Sequence, residues 1–217
     1  MLKVLGMALI FFLLQPSLGS ANDGPQDASG FAGTLGVSWG YGQLGSNDMG
    51  LKDRAMSAAS LEALAGYRLN SRWIIGGDLN CRFQSQLASL SDADGTNLKG
   101  RAWLIGLGAQ YQIDEKWRLQ TAVEFLGRYD FDKPTSNAED DHLAAPLGFR
   151  AKAQHLFRDQ WSLDAGLSYT RWSTFHVGGT DNSKLSSQWM IEVGLSYHFG
   201  TTSPTQSTNE NEKESRP

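Results

Sequence analysis

Apolar and polar side chains alternate along residues 189–199. One set of alternate positions is apolar or aromatic, namely Trp189, Ile191, Val193, Leu195, Tyr197 and Phe199, and the other is Met190, Glu192, Gly194, Ser196 and His198. Side chains on a β-strand alternate between its two faces, so this pattern predicts a strand with one apolar and one polar face. The aromatic residues lie at both ends of the apolar face, where a strand crossing a lipid band of ~25 Å needs interfacial rings.

The same alternation begins at Phe31. One face carries Phe31, Leu35, Val37, Trp39 and Tyr41, and the other carries Ala32, Thr34, Gly36, Ser38 and Gly40. A water-soluble barrel such as a lipocalin would place Lys and Glu on its outward polar face, whereas a narrow lumen favours small side chains. The aromatic face is therefore predicted to contact lipid.

An internal repeat of hairpin size runs through the middle of the chain. Trp73, Trp117 and Trp161 recur at intervals of 44 residues, each after a short polar turn. The same interval separates Tyr67, Tyr111, His155 and Phe199. Two strands per repeat, joined by tight turns, predict an up-and-down antiparallel meander.

Eight strands are predicted from this pattern, over residues 31–44, 57–69, 72–86, 100–113, 116–130, 143–156, 160–174 and 185–199. The long connections at the other end from the polar turns are residues 45–56, 87–99, 131–142 and 175–184. Pro146 cannot donate to a strand ladder, and its place just after one of these loops, near a strand start, suits it.

Together these features resemble the family of small OmpA/OmpX-type outer-membrane β-barrels over residues 31–199. The resemblance implies an all-β, transmembrane, antiparallel up-and-down barrel of eight strands in the outer membrane of a Gram-negative-type bacterium. It implies a monomer surrounded by outer-membrane lipids, with short turns and both termini in the periplasm. In this family the closing strand ends in an aromatic residue and is the signal for the outer-membrane assembly machinery. Here residues 200–217 follow Phe199, so the signal would be internal.

The ends of the chain fit export. Lys3 precedes an apolar run over residues 4–14, and small residues follow, so residues 1–21 are predicted to be a signal peptide. Residues 22–30 form a polar lead, and residues 200–217 are expected to be a disordered periplasmic tail. No later segment has the ~20 consecutive apolar residues of a membrane-spanning helix.

Aromatic girdles are predicted at the two membrane interfaces. Their members are Trp39, Tyr67, Trp73, Trp103, Tyr111, Trp117, Trp161, Trp189, Tyr197 and Phe199. Trp172 falls on the lumen side of its strand and is expected to line the mouth instead.

Projecting the alternation inward places five acids and six bases in the lumen. They are Glu62, Arg68, Asp78, Arg82, Arg118, Glu124, Arg128, Arg150, Lys152, Asp164 and Glu192. Side chains fill the interior of an eight-stranded barrel, and buried charges need partners, so the near-balance predicts a salt-bridged plug. A Lys152–Asp164 pair is expected. Glu62 and Asp78 should lie together and require a base from across the lumen, Arg82 or Arg150.

Other chemistry has little support in the sequence. The net charge of −4 gives no basis for nucleic-acid binding. Cys81 is the single cysteine, which excludes an internal disulfide, and no cysteine and histidine spacing suggests a metal site or a cofactor.

Three functions remain open. A structural or surface-interaction role is preferred, a narrow gated pore is the first alternative, and a lipid A-modifying enzyme is the second. The candidates for catalysis are poor, because Asp140, Asp141, His142, Ser173 and His176 form only a loose group at the predicted outer rim. Acidic loop residues would suit cations or a basic partner: Asp48, Asp92, Asp94, Asp132, Glu139, Asp140, Asp141 and Asp181.

Overall fold

The described part of the chain forms β-strands joined by turns. The computed structural model describes residues 30–46, 51–86, 99–131, 142–177, 180–182 and 186–200. Its strands are β1 (Gly30–Ser46), β2 (Leu51–Arg68), β3 (Trp73–Gln86), β4 (Gly100–Gln112), β5 (Trp117–Phe131), β6 (His142–Arg158), β7 (Trp161–Val177), β8 (Thr180–Asn182) and β9 (Ser186–Phe199). The predicted signal peptide, nearly all of the lead and the tail beyond Gly200 lie outside these residues.

Eight long strands close into an antiparallel barrel. Each of β1 to β6 pairs with the next strand along the chain, β7 pairs with β9, and β9 returns to β1. The three-residue strand β8 extends the ladder of β7 at one end. Closure leaves the barrel without an open edge, as hydrocarbon surroundings require of a strand structure. The predicted eight-stranded antiparallel barrel is confirmed. Within the described ranges, no helix is long and apolar enough to cross a membrane.

Short turns follow β2, β4 and β6, and we call this end of the barrel the turn end and the opposite one the loop end. The side-chain oxygen of Asn70 accepts from the backbone N–H groups of Arg72 and Trp73, at 2.9 and 3.0 Å. Asp114 makes the same pair of bonds to Lys116 and Trp117, both at 2.8 Å. These Asx turns account for the polar residue three positions before each of these tryptophans.

The barrel is apolar outside and polar inside. Burial alternates strictly along most of β4 and β9. Outward Leu107 and Val193 are 60% and 56% exposed, whereas inward Glu124 and Glu192 are at most 1% exposed. This arrangement is typical of a barrel surrounded by lipid.

Two of the predicted loops are wrong over most of their length. β2 begins at Leu51, and Ser46 is paired with Leu51, so the backbone ladder runs through much of the predicted loop 45–56. β7 continues to Val177 and pairs with β8, within the predicted loop 175–184. Polar composition indicated loops there, but backbone pairing does not depend on apolar side chains.

A β-bulge in β5 reverses the side-chain alternation. Ile105 pairs with Leu126 and Gly106 with Glu124, so Phe125 is an extra residue without an opposite partner, and Phe125 and Leu126 are both exposed. Beyond the bulge, Tyr129 is completely buried.

Because the side-chain alternation is reversed, the side chain of Arg128 lies outside the lumen. Its side chain is 34% exposed and pairs with that of Asp130. The predicted lumenal position of Arg128 is therefore wrong, because counting by twos assumes that no residue is inserted.

Pro146 lies beside a second irregularity, in β6. Its Cα partner is Trp172 in β7, but the pairing between β5 and β6 is interrupted from Gly148 to Ala144. The preceding Ala145 has a φ of +50°. The proline thus occupies a strand position where no bond to β5 needs its missing N–H.

Candidate functional site in the barrel lumen

The lumen contains three layers of side chains, and the layer nearest the loop end is apolar. It consists of Leu44, Met56, Ala102, Leu104, Tyr129, Leu143 and Trp172, all at most 3% exposed. The rings of Tyr129 and Trp172 meet edge to face with centroids 6.2 Å apart. Trp172 thus lies on the lumen side that its position predicts. This layer is not predicted as a unit from the sequence, although apolar residues recur at the loop-end inward positions of six strands.

Arg150 is the centre of the middle layer, which is charged. Its Nη2 lies 2.6 Å from each carboxylate oxygen of Asp78. Its Nη1 lies 3.3 Å from Glu62 Oε2 and 3.6 Å from Glu124 Oε1. All four side chains are at most 6% exposed. Arg150, one of the two bases named from the sequence, thus lies between Glu62 and Asp78.

Lys152 extends this layer across the lumen. Its Nζ lies 2.5 Å from Glu62 Oε1 and 3.3 Å from Glu192 Oε2. Arg82 Nη2 approaches Glu192 Oε1 at 3.5 Å. The layer therefore contains four acids and three bases in one connected network.

Neutral donors complete part of the network. Ser38 donates to Glu62 at 2.6 Å, Ser168 donates to Glu192 at 2.9 Å, and Asn80 donates to Glu124 at 3.3 Å. These residues lie on the inward face of three different strands. Small polar residues at inward positions thus support the carboxylates that the lumen buries.

The expected Lys152–Asp164 pair is wrong. In the backbone register Lys152 lies opposite Gly166, and Asp164 lies opposite Gln154. A reflection about Arg158 would set Lys152 opposite Asp164, but Arg158 pairs with Trp161 across the turn, and the resulting register is offset by two residues from that reflection. Lys152 consequently binds the carboxylates of the middle layer.

The layer nearest the turn end is polar and mostly uncharged. Asp164 accepts from Ser162 at 2.7 Å, from Gln154 at 3.2 Å and from Ser196. Further bonds link Gln154 to Gln110 and Gln120, and Gln120 to Thr34. Neutral amides and hydroxyls therefore satisfy the acid of this layer.

Arg68 and Arg118 also belong to the turn-end layer, at 8% and 6% exposure. Arg68 Nη2 donates to the carbonyl oxygen of Gly200 at 2.9 Å. Arg118 makes no hydrogen bond or ion pair with any residue that the structure describes, and its Nη1 is buried without a partner.

The predicted girdle residues lie on the outer face of the barrel. Near the turn end they form cross-strand ring pairs: Trp73–Tyr111 with centroids 4.7 Å apart, Trp161–Tyr197 at 5.2 Å and Phe31–Phe199 at 5.8 Å. His155 pairs in the same way with Trp117, at 4.7 Å, and Tyr67 is 54% exposed beside Phe31. Near the loop end Trp39, Trp103 and Trp189 are 41–56% exposed.

Three members of the candidate catalytic group are among the described residues, namely His142, Ser173 and His176. His142 and His176 stack with ring centroids 4.8 Å apart, and Ser173 donates to the carbonyl of Ala145 at 3.0 Å. The other two members of the candidate group, Asp140 and Asp141, lie outside the described residues.

A serine–histidine contact inside the lumen lacks the acid–histidine bond of a catalytic triad. His198 Nε2 lies 2.9 Å from Ser162 Oγ, but Asp164 binds the serine hydroxyl and not the histidine Nδ1. Both Ser162 and His198 are completely buried. In the part of the chain that the structure describes, no group of three or more potential metal ligands occurs.

Comparisons with known proteins agree with this architecture. The model of the outer membrane protein beta-barrel domain matches residues 11–199. The crystal structure of Neisserial surface protein A has a TM-score of 0.52 at 16% identity, covering 78% of this chain and 97% of that one. For Ail, the attachment invasion locus protein of Yersinia pestis, the TM-score is 0.48 at 13% identity, covering 77% and 99% of the two chains.

None of the curated proteins matches the chain by sequence. The likeness to Neisserial surface protein A shows the fold alone, whereas the domain match spans the entire barrel from Gly30 to Phe199. The chain therefore belongs to the outer membrane protein β-barrel family.

Proposed function

We propose that this protein is a non-conducting, non-enzymatic scaffold of the outer membrane that presents its loop end to the outside for surface interactions. The observation that carries the proposal is the filling of the lumen. An apolar layer and a charged layer lie one above the other across it, and their side chains are almost completely buried.

The two layers oppose ion passage for different physical reasons. An ion entering the apolar layer would lose its hydration and gain few polar partners, since the buried amides of Gln84 and Gln188 at this end are bonded to each other. An ion entering the charged layer would have to displace Arg150 or Lys152 from carboxylates at 2.5–3.6 Å. Removing one partner of a buried ion pair leaves the other charge uncompensated, which is costly. With a closed lumen, the loop end is the surface available for function.

Conductance in planar bilayers tests the proposal. The wild-type protein should give no resolved single-channel current over a range of applied voltage. The matched variants are Trp172→Ala, which thins the apolar layer, and Trp172→Ala with Arg150→Ala, which opens both layers. Current that appears only in the double variant supports two seals in series. Steady current through the wild-type protein contradicts the proposal.

A gated pore is the second candidate, and one observation favours it. Several buried polar atoms of the charged layer have no partner among the described residues, including Asn80 Oδ1, Arg82 Nε and Glu124 Oε2. A network with unsatisfied atoms has alternative pairings available to it. Voltage-dependent openings of the wild-type protein that vanish in Arg82→Gln would favour the pore over the closed scaffold.

A further inference from the structure

We infer that His142 and His176 form a binding site for a divalent transition-metal ion, Cu²⁺ or Zn²⁺, on the outer face of the barrel at its loop end. The two residues are direct Cα partners on the neighbouring strands β6 and β7. Their rings have centroids 4.8 Å apart, and both residues are partly exposed. The site lies outside the lumen, so its existence is independent of whether the lumen conducts.

The histidine pair faces away from the lumen, on the loop side of the outer aromatic girdle. Leu143 lies in the apolar layer, so the alternation of side chains places the preceding His142 on the outer face of β6. The girdle residue Trp103 is paired with Arg128, and Arg128 is paired with Ala144. His142 is two residues nearer the loop end than Ala144, which is about 7 Å along a strand. An ion in the surrounding solution can therefore reach the pair.

The separation of the two rings suits one ion held between them. A zinc ion bonded to a ring nitrogen at about 2.1 Å lies about 3.2 Å from the ring centre, so two rings on one ion have centres about 4.5–5.2 Å apart for bond angles of about 90–110°. The observed separation of 4.8 Å lies within this range. The ring planes are stacked at 25° to each other, so binding requires the rings to turn about their Cβ–Cγ bonds. These torsions are soft, and turning about them leaves the ring centres nearly in place.

The donor atoms determine the class of ion. Imidazole nitrogen suits Cu²⁺, Zn²⁺ and Ni²⁺, whereas Mg²⁺ and Ca²⁺ prefer oxygen ligands. Asp130 is the Cα partner of His142 on β5, but its carboxylate is paired with Arg128. Within the described ranges no group of three potential ligands occurs, so two imidazoles would hold the ion and water molecules would complete its coordination.

Copper binding to the full chain in detergent micelles tests the site, because Cu²⁺ binds a given nitrogen site more strongly than the other first-row divalent ions do. The chain is prepared without an added histidine tag, and Cu²⁺ is titrated calorimetrically in an excess of Mg²⁺. Saturable binding of one ion per chain at this site is expected. His142→Asn and His176→Asn should each weaken it by at least about tenfold, because the second bond of a chelate forms intramolecularly.

The double variant distinguishes a shared ion from two separate ones. If both rings bind one ion, removing either ring already abolishes the chelate, so the double variant should bind no more than about threefold more weakly than a single variant. His155→Asn is the matched control, since His155 is a partly exposed histidine beside Trp117 at the turn end. Its affinity for Cu²⁺ should stay within about twofold of wild type.

Electron paramagnetic resonance of the bound Cu²⁺ provides a second readout, because its hyperfine pattern counts nitrogen ligands. Two nitrogens are expected in the wild-type protein and one in each single variant. If one single variant fails to give the compact, heat-modifiable band of a folded barrel, the other repeats the test. Three results overturn the proposal: a wild-type protein without saturable binding, losses at His142 and His176 that multiply in the double variant, or an equal loss in His155→Asn.

Discussion

Arg150 Nη2 lies 2.6 Å from both carboxylate oxygens of Asp78, although the two residues are 72 positions apart in the sequence. Asp78 lies on β3 and Arg150 on β6, so the contact crosses the lumen and does not follow the wall. The same guanidinium also approaches Glu62 and Glu124. One arginine therefore compensates three carboxylates, and the stability of the charged layer depends on it.

Replacing Arg150 should destabilise the barrel strongly. Arg150→Met leaves Asp78, Glu62 and Glu124 buried without their shared cation, and removal of one partner from a buried ion pair typically costs about 3–5 kcal/mol. Urea unfolding in detergent micelles, followed by the loss of the compact gel band, measures the change. Arg158→Met is the control, because Arg158 is exposed and its replacement should change stability by no more than about 0.5 kcal/mol. Equal effects of the two changes would show that the charged layer does not stabilise the fold.

The bulge in β5 leads to opposite predictions for the adjacent residues Arg128 and Tyr129. Tyr129→Ala removes a completely buried ring from the apolar layer and should cost about 3–5 kcal/mol. Arg128→Ala removes a partly exposed ion pair with Asp130 and should cost no more than about 1 kcal/mol. Unfolding of both variants under one set of conditions tests the reversal. A larger loss of unfolding free energy for Arg128→Ala than for Tyr129→Ala would show that the inward–outward alternation continues through β5 without a bulge.

Much of the fold is predictable because a barrel surrounded by lipid imposes a local rule. Outward positions such as Val193 and Leu107 must be apolar and inward positions such as Glu192 must not be, so alternation alone identifies strands and faces. The Asx turns at Asn70 and Asp114 make the 44-residue repeat visible in the sequence, since their hydrogen bonds are formed within four residues of sequence. The predicted family and the eight-stranded architecture are confirmed for this reason.

The partners inside the lumen are much less predictable, because they depend on register. The bulge at Phe125 puts Tyr129 in the lumen in place of Arg128. The position of the turn between β6 and β7 sets Asp164 opposite Gln154, two residues away from Lys152. Neither feature has a mark in the composition of its strand. Contacts across the lumen, such as Lys152 with Glu62, depend further on the stagger of the closed barrel, which no single hairpin determines.

Trp172 should act as the main space-filling residue of the apolar layer. Trp172→Ala removes a completely buried side chain and should cost about 3–5 kcal/mol of unfolding free energy. Trp172→Phe is the matched control. It keeps an aromatic ring and removes an indole N–H that has no partner among the described residues, so its cost should be well below that of alanine. A phenylalanine variant as unstable as the alanine variant would indicate that the indole nitrogen, and not the ring volume, matters.

Val193 tests which face of β9 contacts lipid. Val193 is 56% exposed near the middle of the strand, where an arginine facing the bilayer midplane costs about 2–4 kcal/mol. Val193→Arg should therefore lower the stability of the barrel in lipid bilayers, while Val193→Leu should leave it nearly unchanged.

The neighbouring Gly194 provides the contrasting variant. A Cβ atom there would lie 2.6 Å from the carbonyl oxygen of Val37, so Gly194→Arg should disrupt the pairing of β9 with β1 by steric overlap. That defect should be similar in bilayers and in short-chain detergent micelles, because it does not depend on lipid. The defect of Val193→Arg should instead be larger in bilayers, since micelles let the arginine reach water. Unfolding measured in both media separates the two causes, and an unchanged bilayer stability for Val193→Arg would reverse the assignment of the faces.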